Sequence, residues 1–324
     1  MSNEVVPTGG SFLDQLNIPK IVAGPAGDAI ARLIGGAVDI PAAWLNRVAQ
    51  GVKDKTDAKS VVSKAVADAA SNLAKNDPEI VQRAAHSLLS KELRHQTNRE
   101  SIARKTIENL AEDPTAETTT PDEDWLNVFE RYAEDASSDR LQDLWGRIFS
   151  GQLRKPRAFS LQTLRFVSEL DEQVVTLFEK WSPHVINNDH IANAPRQGPD
   201  FTDLLHLENC DLISGVTGQL NKTYKATEGL PRKIVELPFQ FKDHLLLATL
   251  LRPVTIDISS VLLTRVGREI YSITKTKGSL EPIKAFVDQF PKQNLEELRC
   301  VSTSGQDREE LIMWSRPPEQ TPTQ

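Results

Sequence analysis

The chain has 324 residues, 39% of them hydrophobic and 26% charged, with a mean hydropathy of −0.37. That is enough apolar material for about two ordinary cores, but no window holds the roughly 20 apolar residues of a membrane-spanning helix. A net charge of −7 and a pI near 5.5 disfavour a protein held to nucleic acid mainly by nonspecific backbone attraction, leaving room for a local basic patch. Two cysteines, Cys210 and Cys300, form no Cys-x-x-Cys pair, which excludes a disulfide framework or zinc ribbon and suits a reducing cytoplasm. Met1-Ser2-Asn3-Glu4 carries no secretory leader pattern.

Residues 1–17 are polar and expected to be disordered. Ala26, Ala29, Ile30, Leu33, Ile34, Ala37 and Val38 recur at helical spacing opposite Asp28, Arg32 and Asp39, which predicts an amphipathic helix over 26–38. It has the shape of an interfacial helix, but with Arg32 as its one base and no aromatic, packing against protein is favoured over lipid. Residues 44–74 keep a helix-forming composition, with Val48, Val52, Val61, Val62, Ala65, Val66 and Ala69 as core candidates. Asp77 can cap a helix opening on Pro78, where the missing N–H costs nothing. That helix continues through Ile80, Ala84, Leu88 and Leu89 toward Ile102, Ile107 and Leu110, so 18–111 reads as a polar helical arm. Residues 112–124, with six acids and no base, read as an acidic linker.

Residues 125–186 read as a central helical module. Trp125, Val128, Phe129 and Tyr132 form one face, and Leu141, Leu144, Trp145 and Ile148 with Phe149 form another. Ser138 can cap the second helix, and Gly151 can end it in the left-handed conformation. Gly146 in its interior costs about 1 kcal/mol relative to Ala, which implies close approach of a neighbouring backbone. Ser160 caps a third helix with Leu161, Leu164, Val167 and Leu170, and Asp171 a fourth with Val174, Leu177, Phe178 and Trp181.

Turn residues collect in a second linker over 187–200. Residues 201–315 then read as an α+β module. A helix over 201–213 precedes strands at 235–241, 245–251 and 256–263, the middle one open to a short buried helix. Thr264 caps a helix over 265–273; another helix follows over 280–290, then strands at 298–302 and 311–315, and a disordered tail over 316–324. The expected fold is mainly α with a C-terminal α+β module: helical arm, central four-helix module and winged-helix-like domain.

The order Asp124-Trp125, Leu141-Gln142, Leu144-Trp145, Ile148, Gly151, Pro156, Phe159-Ser160, Thr163 and Leu170-Asp171 resembles an uncharacterised bacterial family, domain of unknown function 2806, over roughly 73–181. The resemblance implies no assigned activity. The early Gly/Ala-rich amphipathic segment is loosely similar to the alpha abortive-infection proteins, which implies an association with phage defence. Leu263-Thr264-x-x-Gly267-Arg268-Glu269-Ile270 is similar to the strand-to-helix junction of winged-helix modules.

No phosphate loop, dinucleotide fingerprint, H-E-x-x-H or G-x-S-x-G occurs. His86, His95, His184, His190, His206 and His244 lack ligand spacing, and His184 and His190 are expected to be solvated beside a loop. Cys210 reads as a small buried thiol rather than a nucleophile. Arg154, Lys155 and Arg157, with Arg147 one helix earlier, form the one compact basic cluster, suited to a phosphate or an acidic partner; the simpler reading is that it neutralises the C-terminal end of the helix finishing at Ser150 and stays solvated. Nine bases balance nine acids over 200–275, against a DNA-reading wing.

The expectation is a cytoplasmic, non-enzymatic protein-interaction or regulatory protein in bacterial stress or phage defence, with no cofactor and no metal. Its partner is another protein or a second copy of the chain, and nucleic acid is disfavoured. The alternatives are a membrane-directed effector using 26–38, peripheral at the inner membrane, and a winged-helix nucleic-acid binder.

Overall fold

The computed structural model describes residues 24–35, 78–113, 115–226, 228–229, 234–303 and 309–317. The readings made for 1–17, 44–74, the Asp77 cap, the end of the 26–38 helix and most of the 316–324 tail lie outside these residues. The chain divides into two compact units, one ending at Ser168 and the other beginning at Glu169.

In the first unit, α1 (Pro25–Leu33) opens on a proline and buries Ala26, Ala29, Ile30 and Leu33. Helix α2 (Pro78–Ala111) has 34 residues and is about 51 Å long. Its burial changes along its length: 79–94 is exposed or half-buried, whereas His95, Asn98, Ile102, Ala103, Thr106, Ile107, Asn109 and Leu110 turn inward. Against this second half pack α3 (Glu123–Ala133), capped by Asp122, and α4 (Asp139–Arg154), capped by Ser138. Helix α5 (Leu161–Ser168) packs on α3, its first turn held by the Ser160 hydroxyl, which accepts from Thr163 N–H. A Cβ at Gly146 would lie 2.6 Å from Lys105 Cβ, so the glycine does permit α2 and α4 to approach closely.

Gly151 plays a different part from the one expected. It lies inside α4, which continues to Arg154, and a Cβ there would lie 2.8 Å from the Phe159 ring. The missing side chain leaves room for that ring, so the glycine serves close packing rather than helix termination. The acidic stretch 112–124 runs within this unit, where Thr119 N–H donates to Leu153 O at 2.7 Å.

In the second unit, α6 (Glu172–Trp181) is capped by Asp171 and followed by a 3-10 turn at Ser182–His184. The strands and helices that follow are β1 (Val185–Ile186), β2 (His190–Ala192), α7 (Pro199–Asn209), β3 (Ile213–Ser214), β4 (Asn221–Lys225), β5 (Glu228–Gly229), β6 (Ile234–Phe241), β7 (His244–Leu250), β8 (Thr255–Leu263), α8 (Arg265–Ile273), α9 (Leu280–Gln289), β9 (Leu295–Ser302) and β10 (Glu310–Ser315). The strands form one ten-stranded sheet in the order β10-β9-β7-β6-β1-β2-β8-β3, with β4 on β8 and β5 on β6. Every pairing is antiparallel.

Alternation along β6 puts Val235, Leu237, Phe239 and Phe241 on the buried face, where Ile283, Phe286, Val287 and Phe290 from α9 and its end cover them. This is a core of its own. At the β8–α8 junction, Thr264 caps the helix and a Cβ on Gly267 would lie 2.0 Å from Leu212 O, so only glycine fits against that backbone.

The expected fold class is therefore corrected. The chain is not mainly helical, because the strands join in one large antiparallel sheet. The four-helix module does not exist as a body: α3, α4 and α5 share the core of α2, whereas α6 belongs to the sheet unit. The junction at 263–270 is real, but the sheet feeding it is ten-stranded, not a winged helix. The stretch 187–200 carries β2 and the start of α7, and the helix expected over 201–213 spans Pro199–Asn209.

Candidate functional site

The residues that resemble the family are spent on structure. Trp125, Phe129 and Phe149 stack, with centroids 5.1 and 4.6 Å apart along that chain of rings, and Trp145 meets Phe129 edge-on at 5.3 Å. The Trp125 indole N–H donates to Phe159 O at 2.9 Å. Gln142 accepts from the Ser101 hydroxyl at 2.6 Å, and its amide donates to Asn98 Oδ1 and Ala136 O. A buried amide so satisfied is a clamp between α2 and the α3–α4 connection.

Two members of the basic cluster have partners of their own within the chain. Arg147 pairs with Asp143 at 2.8 Å, one turn earlier on the same helix. Arg154 donates to Asn109 O at 2.7 Å and Leu110 O at 3.3 Å, satisfying the C-terminal carbonyls of α2. Lys155 and Arg157 are exposed, and Arg157 has a left-handed backbone, φ 60°. A helix end is neutralised, but it is that of α2.

Helix α1 offers no open apolar face: Ile30 is fully buried, and Arg32 bonds to Glu123 and Glu130 of α3 at 2.6 and 2.8 Å. Among the described residues no helix is long and apolar enough to cross a membrane, and no group of three His, Cys, Asp or Glu could hold a metal ion.

A polar cluster that sequence reasoning missed sits on the sheet. After Ile186 the chain turns through Asn187 and Asn188, both at φ 53°, a conformation asparagine tolerates. Asp189 and His190 follow at the start of β2. His190 is fully buried and not solvated as expected, because β1 and β8 pair on both sides of it. Its Nε2 lies 3.0 Å from the Tyr224 hydroxyl, and its Nδ1 is 3.5 Å from Asp189 Oδ2. Lys222, two residues before Tyr224 on the same face of β4, bonds to Asp189 Oδ2, and Arg268 stands 3.9 Å from its other oxygen.

Burial pushes His190 down to about 4, against the opposing pull of Asp189, and pushes Tyr224 up to about 12. Burial also pushes Asp189 up, but its bond to Lys222 and the charges of Lys222, His190 and Arg268 outweigh this and hold it below the ordinary carboxylate value. The constellation looks like a proton relay. Yet its imidazole and phenol are both moved away from neutrality, the reverse of the tuning general acid–base catalysis needs.

A cleft of about 320 Å³ in this unit is lined by Trp181, His184, Ile191, Asp200, Phe241 and Phe286 among others. His184 is half-buried, and burial lowers its pKa, partly opposed by Asp200. Burial also raises the Cys210 thiol, with Asp171 and Asp211 adding to it, so the group stays protonated at neutral pH; Cys300 is buried in the sheet core.

No curated protein and no solved structure matches the chain, and no match carries the looser likeness to the abortive-infection proteins. Residues 82–193 do match a family model; they take in most of α2, helices α3 to α6 and the β1–β2 hairpin. Over that segment the chain is similar to the family described as "Protein of unknown function (DUF2806)".

Proposed function

We propose that the protein is non-enzymatic and acts by binding another protein, in a regulatory role that the phage-defence reading would accommodate. The observation that carries this reading is where large apolar side chains meet solvent. On edge strand β10, which pairs with β9 alone among the described strands, Leu311 is 48% and Ile312 60% exposed. On the first half of α2, Ile80 is 56% and Leu88 63% exposed. Adjacent aliphatics on an open strand edge suit an added strand from a partner, and an exposed helical stripe suits a helix. The relay-like cluster supports the same reading, because its groups are tuned away from acid–base work near pH 7.

The test compares full-length wild type, the double variant Leu311→Lys/Ile312→Lys and Leu88→Glu as baits in the native host, with folding checked by circular dichroism. A protein retained by wild type and lost from at least one folded variant is the expected result. Equal retention by all three, or hydrolysis of nucleotide or nucleic acid that His190→Asn abolishes, would contradict the proposal.

A further inference from the structure

We infer that the cleft of the second unit is a binding site for an uncharged planar heterocycle, a nucleobase or its nucleoside. This adds a small-molecule ligand to the protein-binding reading and does not depend on it. The cleft is built where the end of α6 and the 3-10 turn meet the β1–β2 hairpin, β6 and α9, with the first turn of α7 beside them. Ile186, Ile191, Phe241 and Phe286 give it an apolar lining, each 5% exposed or less. At about 320 Å³ it falls at the lower end of the range of small-molecule sites, about 300–1,000 Å³, which suits a fused ring and a sugar better than a peptide or a dinucleotide.

The lining selects among ligands of that size by shape, hydrogen bonding and charge. The Trp181 and His184 rings lie 4.9 Å apart and the Phe241 and Phe286 rings 5.6 Å apart, so two aromatic pairs favour a flat ring that stacks. Trp181 is 5% exposed, and its buried indole N–H has no acceptor among the described residues. Buried donors are nearly always paired, and a ring nitrogen or carbonyl of a ligand supplies the missing acceptor. Burial lowers the pKa of His184, so at neutral pH its imidazole has one donor and one acceptor, and the Asn193 and Gln289 amides of the lining have both as well. These groups match the mixed donor and acceptor edge of a base, whereas a plain hydrocarbon satisfies none of them. Asp200 also lines the cleft, and Lys180 pairs with both Asp200 and Asp203, at 2.7 and 2.6 Å, which leaves one net negative charge in that group. That disfavours a phosphate. An organic cation meets competition, because Lys180 Nζ already stands 5.7 Å from the Trp181 ring centroid.

The experiment is isothermal titration calorimetry of the full-length chain at pH 7.5, with adenosine, guanosine, cytidine and uridine as probes and adenosine monophosphate and choline as charged controls. At least one nucleoside is expected to bind with a Kd below about 1 mM and more tightly than either control. Trp181→Phe, which keeps a ring and removes the N–H, is expected to weaken that binding about tenfold. Ala285→Phe, which fills the cleft from an exposed position on α9, is expected to abolish it with helical circular dichroism unchanged. Should Trp181→Phe fail to fold, Ala285→Phe alone decides. Binding of none of the four nucleosides, binding that survives Ala285→Phe, full affinity in folded Trp181→Phe, or preference for a charged control would overturn the inference.

Discussion

Two residues set limits that single substitutions can measure. Gly267 faces Leu212 O so closely that an added Cβ would lie 2.0 Å from it, and a backbone carbonyl in a strand connection cannot swing aside as a side-chain end can. Gly267→Ala therefore costs about 2 kcal/mol despite the better helix propensity of alanine, read as a lowered denaturation midpoint. An unchanged or raised midpoint would contradict the packing described.

His190 makes stability depend on pH. Its pKa in the folded chain, about 4, is below the ordinary 6.5, so the unfolded chain takes up the proton first as pH falls. The contribution is complete above about 6.5, declines as pH falls toward 4 and is flat below; it amounts to about 3 kcal/mol at most. Asp189 is also depressed and adds loss in the same direction at more acid pH. Urea midpoints at pH 7.5 and 5 are expected to differ more in wild type than in His190→Asn, and equal differences would remove His190 as the cause.

At the scale of elements, Gln142 ties α2 to the α3–α4 connection with three hydrogen bonds, to Ser101, Asn98 and Ala136. Gln142→Ala is expected to cost about 2–3 kcal/mol. Arg154→Ala, which uncovers the C-terminal carbonyls of α2, costs about 1 kcal/mol. Lys155→Ala, at an exposed position, changes stability by less than about 0.5 kcal/mol. Equilibrium denaturation of the three variants gives the ranking, and a Lys155→Ala effect as large as that of Arg154→Ala would mean the loop is structural.

The same residues explain what could be read in the chain beforehand. The caps at Ser138, Ser160, Asp171 and Thr264 and the glycine at Gly146 act through neighbours within a turn or through one close contact, so local pattern was enough. Strands β6, β8, β9 and β10 were legible from alternation and β-branched content, whereas the apolar run of β7 fits a short buried helix equally well. The β1–β2 hairpin was not, because two- and three-residue strands around Asn187-Asn188 have no period to detect. His190 reads as a loop residue for the same reason: its burial comes from pairing with Leu262, distant in sequence. Lys222 and Tyr224 alternate on one strand face, and that was the one signal that could have joined them.

At the scale of the whole molecule, each unit has its own core, aromatic stacking around Phe129 in one and the α9-covered sheet in the other. Periodicity revealed each apolar face, but not which core would receive it. That is why α6, with the same aromatic pattern as α3 and α4, was grouped with them though it belongs to the sheet unit. The family match runs across both units, from α2 through β2. Within it, Trp125, Gln142, Trp145 and Gly151 have structural roles; the exposed apolar positions that the proposed binding would use are Leu88 inside the matched segment and Leu311 and Ile312 outside it.

The most direct measurement pairs quantitative mass spectrometry of proteins bound to the full-length chain with thermal denaturation of the same samples, for wild type, Gln142→Ala and Leu311→Lys/Ile312→Lys. The account predicts that Gln142→Ala lowers the midpoint but, below it, retains what wild type binds. The double surface variant keeps its midpoint and loses a bound protein. The opposite pattern, with binding lost in folded Gln142→Ala and kept in the surface variant, would contradict the claim that function lies on the exposed surfaces.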